Sequence, residues 1–291
     1  MKEKVSTPIK TKEIIDKYSF YFKKNFGQNF LIDQNVLANI VSAAGITEED
    51  FVLEIGPGIG SLTQFLADNA KKVCAIEIDK NLIPILEDTL SGYDNIDVIN
   101  EDVLKVDLNK VIEEKGEGKK AKLCANLPYY ITTPIIMELL EKRAKLESMT
   151  VMVQKEVADR MQAKPGTKDY GALTVAVAFY CDAHTDFVVP PSCFMPKPNV
   201  DSAVITLKLK GERIAVKDEN LMFDVIKCAF GQRRKTLLNG LNNLGKFGLS
   251  KEELTASIEE MGLDSRVRGE TLSVEQFAQL SDILYEKIHK N

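Results

Sequence analysis

Asn126-Leu127-Pro128-Tyr129 follows the largely apolar run Ala121-Lys122-Leu123-Cys124-Ala125. It places an amide, a proline carbonyl and an aromatic ring at the end of what reads as a buried strand. Such groups are suited to holding a flat base by its face while gripping an exocyclic amine. The lone pair of an adenine amine is delocalised into the ring, which makes the amine a poor nucleophile. No strong base is needed before attack, because the proton becomes acidic only as the new N–C bond forms. What helps is an acceptor that aims the lone pair, here the Asn126 side-chain oxygen with the Leu127 or Pro128 carbonyl. Proline has no N–H to compete and fixes the local turn. Tyr129 offers a stacking face, a contact worth ~1–3 kcal/mol per base. Catalysis of this kind rests on positioning and electrostatics. In isolation an Asn-x-Pro-Tyr run reads as a strand exit with its tyrosine in the core, so its weight depends on what precedes it.

Upstream stands Glu54-Ile55-Gly56-Pro57-Gly58-Ile59-Gly60, between a predicted strand and a predicted helix. Glycines there let the backbone turn sharply and approach a ligand closely. The dinucleotide fingerprint is GxGxxG; here the third glycine comes one residue early and Ser61 takes its place. Glu77 ends the next strand, where an acid can bind ribose hydroxyls, a placement that fits NAD and S-adenosylmethionine alike. Asp102 follows the third strand, where a carboxylate can meet an adenine amine, and Asn126 follows the fourth. S-adenosylmethionine has no pyrophosphate and carries a cationic sulfonium, so an acid-rich pocket suits it better than a dinucleotide. The competing reading has Glu77 and Asp102 merely capping the helices that follow. Three consecutive strand ends, each with a polar group, favour the pocket.

Elements that could position these groups are visible in the apolar patterning. Residues 1–33 read as an irregular arm. Asp33 is an N-cap for a helix near 34–44, ended by Gly45. Phe51–Ile55, Val73–Ile78, Ile96–Asn100 and Leu123–Ala125 read as buried strands, with helices near 60–70, 80–91 and 133–143. Met149–Val153 reads as a further strand before a helix at 154–162, and Thr174–Val188 and Ser202–Leu209 as β-rich runs. Such alternation predicts a parallel sheet covered on both faces. From Asn220 the pattern turns helical, over 221–230, 234–244, 251–261 and 273–288. Lys210–Glu219 is a polar connector, which sets the expected domains at 1–211 and 212–291.

The bulk numbers narrow the classes. A chain of 291 residues suits one large domain and a smaller one. The Lys-rich N-terminus lacks an apolar core segment, and no apolar run approaches the ~20 residues that span a bilayer. The five cysteines are scattered and never spaced CxxC, which reads as reduced core residues of a cytosolic protein. Only His184 and His289 are present, without metal-ligand spacing, so no metal is expected. Net charge is −5, yet Val225–Lys251 contains no acid and carries Arg233, Arg234 and Lys235 among its bases. A local basic surface on an acidic protein can bind phosphates; a solvated helix face is the plainer alternative.

Taken together, these residues resemble the ribosomal RNA adenine dimethylase family over nearly the whole chain. The resemblance is carried by Phe26-Gly27-Gln28-Asn29-Phe30-Leu31, Glu54–Gly60, Asn126–Tyr129, Phe194 through Val204, and Ala229 through Leu237. It implies an α/β fold: a Rossmann-like class I methyltransferase sheet with an added antiparallel strand pair, then a C-terminal all-helical domain. The implied activity is S-adenosylmethionine-dependent dimethylation at N6 of two adjacent adenines. These lie in the 3′-terminal hairpin loop of 16S rRNA, within a small-subunit assembly intermediate. By position, the family's cofactor contacts fall on Asn29, Leu31, Gly56, Gly58, Glu77, Asp102 and Asn126. Asn126 and Tyr129 would meet the base, and Phe194, in a loop stiffened by Pro190, Pro191, Pro196 and Pro198, would sandwich it. Lys23, Lys24, Arg233, Arg234 and Lys235 would contact RNA. Gly231 stands where many relatives have Ser. A monomeric cytoplasmic enzyme is expected. The rivals are the sister enzymes that methylate 23S rRNA and confer antibiotic resistance, a non-catalytic assembly factor, and an NAD-dependent oxidoreductase.

Overall fold

The computed structural model describes residues 4–22, 28–243 and 246–290. Its elements run α1 (Pro8–Lys17), β1 (Phe30–Leu31), α2 (Gln34–Ala43), β2 (Phe51–Ile55), α3 (Ser61–Ala67), β3 (Lys72–Glu77), α4 (Ile83–Thr89), β4 (Ile96–Asn100), α5 (Leu108–Lys115) and β5 (Ala121–Asn126). There follow α6 (Thr132–Glu141), β6 (Leu146–Gln154), α7 (Lys155–Met161), α8 (Ala172–Tyr180), β7 (Cys181–Val189), β8 (Phe194–Met195) and β9 (Ser202–Leu209). The last four helices are α9 (Glu219–Gly231), α10 (Leu237–Asn243), α11 (Lys251–Glu260) and α12 (Val274–Ile288).

Contacts divide the chain into two compact units. One comprises residues 4–158 with Ala183–Leu209, the other Asp159–Asp182 with 210–290. The chain enters the second unit for good at Lys210, the first residue of the polar connector. That unit also takes in Asp159–Asp182, a segment that patterning placed in the sheet domain. The cause is α8. Its run Ala-Leu-Thr-Val-Ala-Val-Ala-Phe-Tyr is β-branched and apolar all round, so periodicity cannot separate a strand from a buried helix. In the structure Thr174 settles the start: its hydroxyl accepts from Gly171 N at 3.1 Å and donates to the Arg160 carbonyl at 2.6 Å. The helix then packs on α9 and α12.

The first unit carries a seven-stranded sheet in the order β4-β3-β2-β5-β6-β9-β7. Strands β2 to β6 pair in parallel, and β9 runs antiparallel to β6. From β2 the chain steps outward through β3 to β4, then returns to lay β5 on the other side of β2. Strand order reverses there, and an open α/β sheet binds its ligand in the crevice outside the strand ends at such a point. β2 is buried along its whole length, Glu54 included, whereas β4 forms a half-exposed edge. α2 begins where expected, with Asp33 Oδ1 accepting from Asn35 N at 2.9 Å and Val36 N at 3.2 Å.

The arm is more ordered than patterning suggests. Thr7 caps α1 by accepting from Lys10 N at 3.2 Å, and Pro8 occupies its first turn, a start signal missed among the lysines. Ile14 joins Val5, Phe20, Phe30, Leu82, Ile85 and the glycine-loop residue Ile59 in a second core cluster. Helix α5, also unforeseen, starts at the Asp107 cap. All five cysteines are free and buried. Among the described residues no helix is long and apolar enough to cross a membrane.

Candidate active site

The carboxyl ends of β2, β3 and β5 and the turn after β4 open into one cleft, with about 1080 Å³ of empty space counted out to open solvent. Asn29, Leu31, Gly56, Gly58, Glu77, Asp102, Asn126 and Tyr129 all line it, which gathers eight of the residues chosen from sequence. The glycine loop forms one wall. Gly56 and Gly58 sit at φ 69° and 61°, in the left-handed region that favours glycine. A Cβ on Gly58 would lie 3.0 Å from Phe30 Cε1, so a side chain there would press on the ring that the arm lays against the loop.

Four acids, Glu54, Glu77, Asp79 and Asp102, stand around this loop and the strand ends beside it. Glu77 Oε1 accepts from Asp79 N at 2.8 Å and Oε2 from Gly58 N at 3.3 Å, so it braces the turn it faces. Burial pushes Glu77 up to about 7, against the lowering effect of those amides. Glu54 is buried deeper. Burial drives it up to about 8, and the charge of Glu77 raises it further. Asp79 Oδ2 accepts from Gln28 Nε2 at 3.1 Å, tying the arm to the turn after β3. Asp102 Oδ1 accepts from Leu104 N at 3.1 Å, which closes a local turn ahead of α5; the cap of that helix is Asp107, not Asp102.

Asn126 ends β5, and its Nδ2 donates to the Asn29 carbonyl at 3.1 Å. The amide is thereby oriented, and Oδ1 is the end left for accepting from a substrate amine. The Pro128 carbonyl already receives Ile131 N and the Thr132 hydroxyl, both at 3.1 Å. Its two lone pairs are occupied, so the second acceptor falls to Leu127. Tyr129 is half-buried, with its hydroxyl 2.7 Å from Ser202 Oγ.

Phe194, expected from the resemblance to sandwich the base, is not brought into the cleft lining. It lies opposite Leu31 in the antiparallel β1–β8 pair and is only 2% exposed, packed in the main core with Leu37 and Val204. It does not line the cleft, because its large apolar ring is claimed by that core. Two exposed apolar side chains line the cleft instead, Ile78 at 48% and Tyr130 at 54%. Burial first, then the charges of Asp102 and Glu77, raise the Tyr130 phenol, which places it near both acids. No sequence signal marked Tyr130 or Ile78. Glu54 could have been found as the acid that opens the glycine motif.

Lys23 and Lys24 lie outside the described residues. Arg233, Arg234 and Lys235 follow α9 in the second unit and are exposed. Arg233 is engaged within that unit: Nε donates to Glu270 at 3.0 Å and a terminal nitrogen to the Thr167 carbonyl at 3.0 Å. Among the described residues there is no cluster of His, Cys, Asp and Glu that could hold a metal ion.

The chemistry of the cleft fits S-adenosylmethionine. Glu54 Oε2 and Ser61 Oγ are buried, line the cleft and have no hydrogen-bond partner among the described residues. Buried acids and unpaired oxygens match a ligand with a cationic centre and hydroxyl donors.

A parallel sheet reversing at β2/β5, with glycine loop, acids and amide at that reversal, defines a Rossmann-like methyltransferase. Solved structures agree. One is a dimethyladenosine transferase from Plasmodium falciparum, with TM-score 0.72 and 29% identity over 86% of this chain and 95% of that one. Another is the 23S rRNA methyltransferase ErmE, with TM-score 0.63 and 28% identity over 88% of this chain and 99% of that one. The family model for ribosomal RNA adenine dimethylase matches residues 19–286. The chain belongs to that family. It is 58% identical to the ribosomal RNA small subunit methyltransferase A of Lachnoclostridium phytofermentans, over 97% of this chain and 98% of the relative. Its identity to the protein of the same name from Clostridioides difficile is 52%, over 98% and 99%.

Proposed function

We propose that this chain transfers methyl groups from S-adenosylmethionine to N6 of two adjacent adenines in the 3′-terminal hairpin loop of 16S rRNA. It would act as a cytoplasmic monomer on a small-subunit assembly intermediate. The observation that carries the reading is the convergence of Gly58, Glu77, Asp102 and Asn126 on one cleft at the sheet reversal. Asn29, Leu31, Gly56, Gly58, Glu77 and Asp102 would hold the cofactor, which supplies an electrophilic methyl group on a sulfonium. Asn126 Oδ1 and the Leu127 carbonyl would accept from the target amine, and Tyr129 would stack the adenine. The base must leave its stack to enter, which costs least in a flexible loop. Arg234 and Lys235 would contact phosphates, with Lys23 and Lys24 as further candidates.

The choice of small-subunit RNA is supported by the names of relatives at 52–58% identity. Methylation of 23S rRNA is the second reading, favoured by the likeness to ErmE. Incubation with unmethylated small subunits, large-subunit RNA and labelled cofactor separates them, with mass mapping of the modified nucleotides. Dimethyladenine in the small-subunit hairpin is expected; labelling of large-subunit RNA alone would overturn the assignment.

A further inference from the structure

We propose that Ser202 is a positioning residue: its hydroxyl anchors the ring of Tyr129 and sets the plane on which the target base stacks. This rests on the reading above that Tyr129 faces the adenine.

Ser202 Oγ and Tyr129 Oη are 2.7 Å apart, joined across 73 residues of sequence. The two ends of this bond differ in rigidity. Tyr129 sits on the connection between β5 and α6, half-buried and lining the cleft. A tyrosine on such a connection can exchange rotamers about χ1 and swing about χ2. Ser202 opens β9, fully buried, in register opposite Gln154 of β6. The carbonyl of the preceding Asp201 accepts from Lys155 N at 3.0 Å, so the backbone is tied on both sides of the junction. A bond from that fixed point to the far end of the phenol ring restrains both torsions.

The sheet itself does not ask for serine here. A buried strand position is better served by a β-branched or apolar side chain, and a buried hydroxyl costs free energy unless it finds a partner. The partner it has is Tyr129. Ser202 also follows directly on the proline-rich stretch Pro196–Asp201, so the contact joins that loop to the Asn-Leu-Pro-Tyr turn through one hydroxyl pair. A ring held in place before the base arrives raises the rate of methyl transfer without changing how tightly cofactor or RNA binds.

The test is single-turnover methyl transfer by the full-length protein to unmethylated small subunits, with equilibrium binding of S-adenosylmethionine and of subunits measured alongside. Wild type and Asn126→Ala serve as references. If wild type transfers no methyl, the functional assignment itself has failed. If wild type is active and Asn126→Ala is not, the remaining variants decide this proposal alone. Ser202→Ala and Tyr129→Phe should each slow transfer roughly 3- to 10-fold, the worth of one hydrogen bond, with both binding constants within about two-fold. The double variant should be no slower than the slower single variant, because both remove the same bond. Rates at the wild-type level in either single variant, or effects that multiply in the double, would overturn the anchor. Should Ser202→Ala fold poorly, Tyr129→Phe decides by itself: it deletes the bond from the cleft side and leaves β9 untouched.

Discussion

The side-chain amide of Asn126 donates to the backbone carbonyl of Asn29 across 3.1 Å, joining the end of β5 to the arm ahead of β1. A carbonyl can only accept, so Nδ2 must face Asn29 and Oδ1 is the free acceptor. The arm thereby sets which end of Asn126 meets a substrate amine. Replacing Asn126 by alanine removes that acceptor, and methyl transfer should fall by ~100-fold or more while subunit binding holds within a few-fold. Equal loss of both in a filter-binding and methyl-incorporation series would instead give Asn126 a structural role.

Gly58 carries the second prediction. Its positive φ and the 3.0 Å approach of Phe30 both oppose a side chain. Gly58→Ala should cost ~1–2 kcal/mol from the left-handed backbone alone. It should also weaken cofactor binding, because the loop cannot keep its path. Thermal unfolding with and without S-adenosylmethionine reads both effects, since a ligand stabilises the native state by an amount that grows with the logarithm of its concentration over Kd.

Proton linkage gives the third. Glu77 and Glu54 stand at about 7 and about 8 in the folded protein, against ~4.3 for glutamate in an unfolded chain. Between those values the folded state holds protons that the unfolded chain has released. Stability of the ligand-free protein from these groups therefore falls as pH rises from about 4.3 to about 8. A cationic ligand favours the carboxylates, so affinity for S-adenosylmethionine should rise from pH 6 to pH 8. Isothermal titration in buffers of different ionisation enthalpy should show proton release on binding. Glu54→Gln should shrink the stability slope, and an unchanged slope would show that Glu54 does not titrate there.

The fourth concerns the basic turn after α9. Arg233 is already paired with Glu270, whereas the side chains of Arg234 and Lys235 make no such bond among the described residues. Arg234→Ala and Lys235→Ala should each flatten the log-log salt dependence of RNA binding by about 1. Arg233→Ala should act more through the turn, with a loss of ~1 kcal/mol or less from an exposed pair. Equal salt slopes for all variants would assign the turn to a solvated face.

Much of the site was legible before any fold was known. Glycine spacing, an acid at successive strand ends and Asn-x-Pro-Tyr are local: each needs only its own strand and turn, and strand order then brings the ends together. Phe194 shows the limit. Its loop is recognisable, but whether an aromatic ring faces a cleft or fills a core depends on what packs behind it, here Leu31 and its neighbours. Tyr130 and Ile78 fail in the opposite direction, since exposure of an apolar side chain leaves no local mark.

By itself, the sequence determined the alternation of strands and helices, the cap at Asp33, the glycine loop and the cleft acids. These follow from short-range sterics, capping and burial periodicity. Tertiary structure alone decided that α8 is a helix packed within the second unit, and that Arg233 is bound to Glu270. It alone decided that Asn126 turns its oxygen away from Asn29 and that Ser202 holds Tyr129. Each of these rests on partners dozens of residues distant, and only the closed fold brings such partners within hydrogen-bond or packing distance.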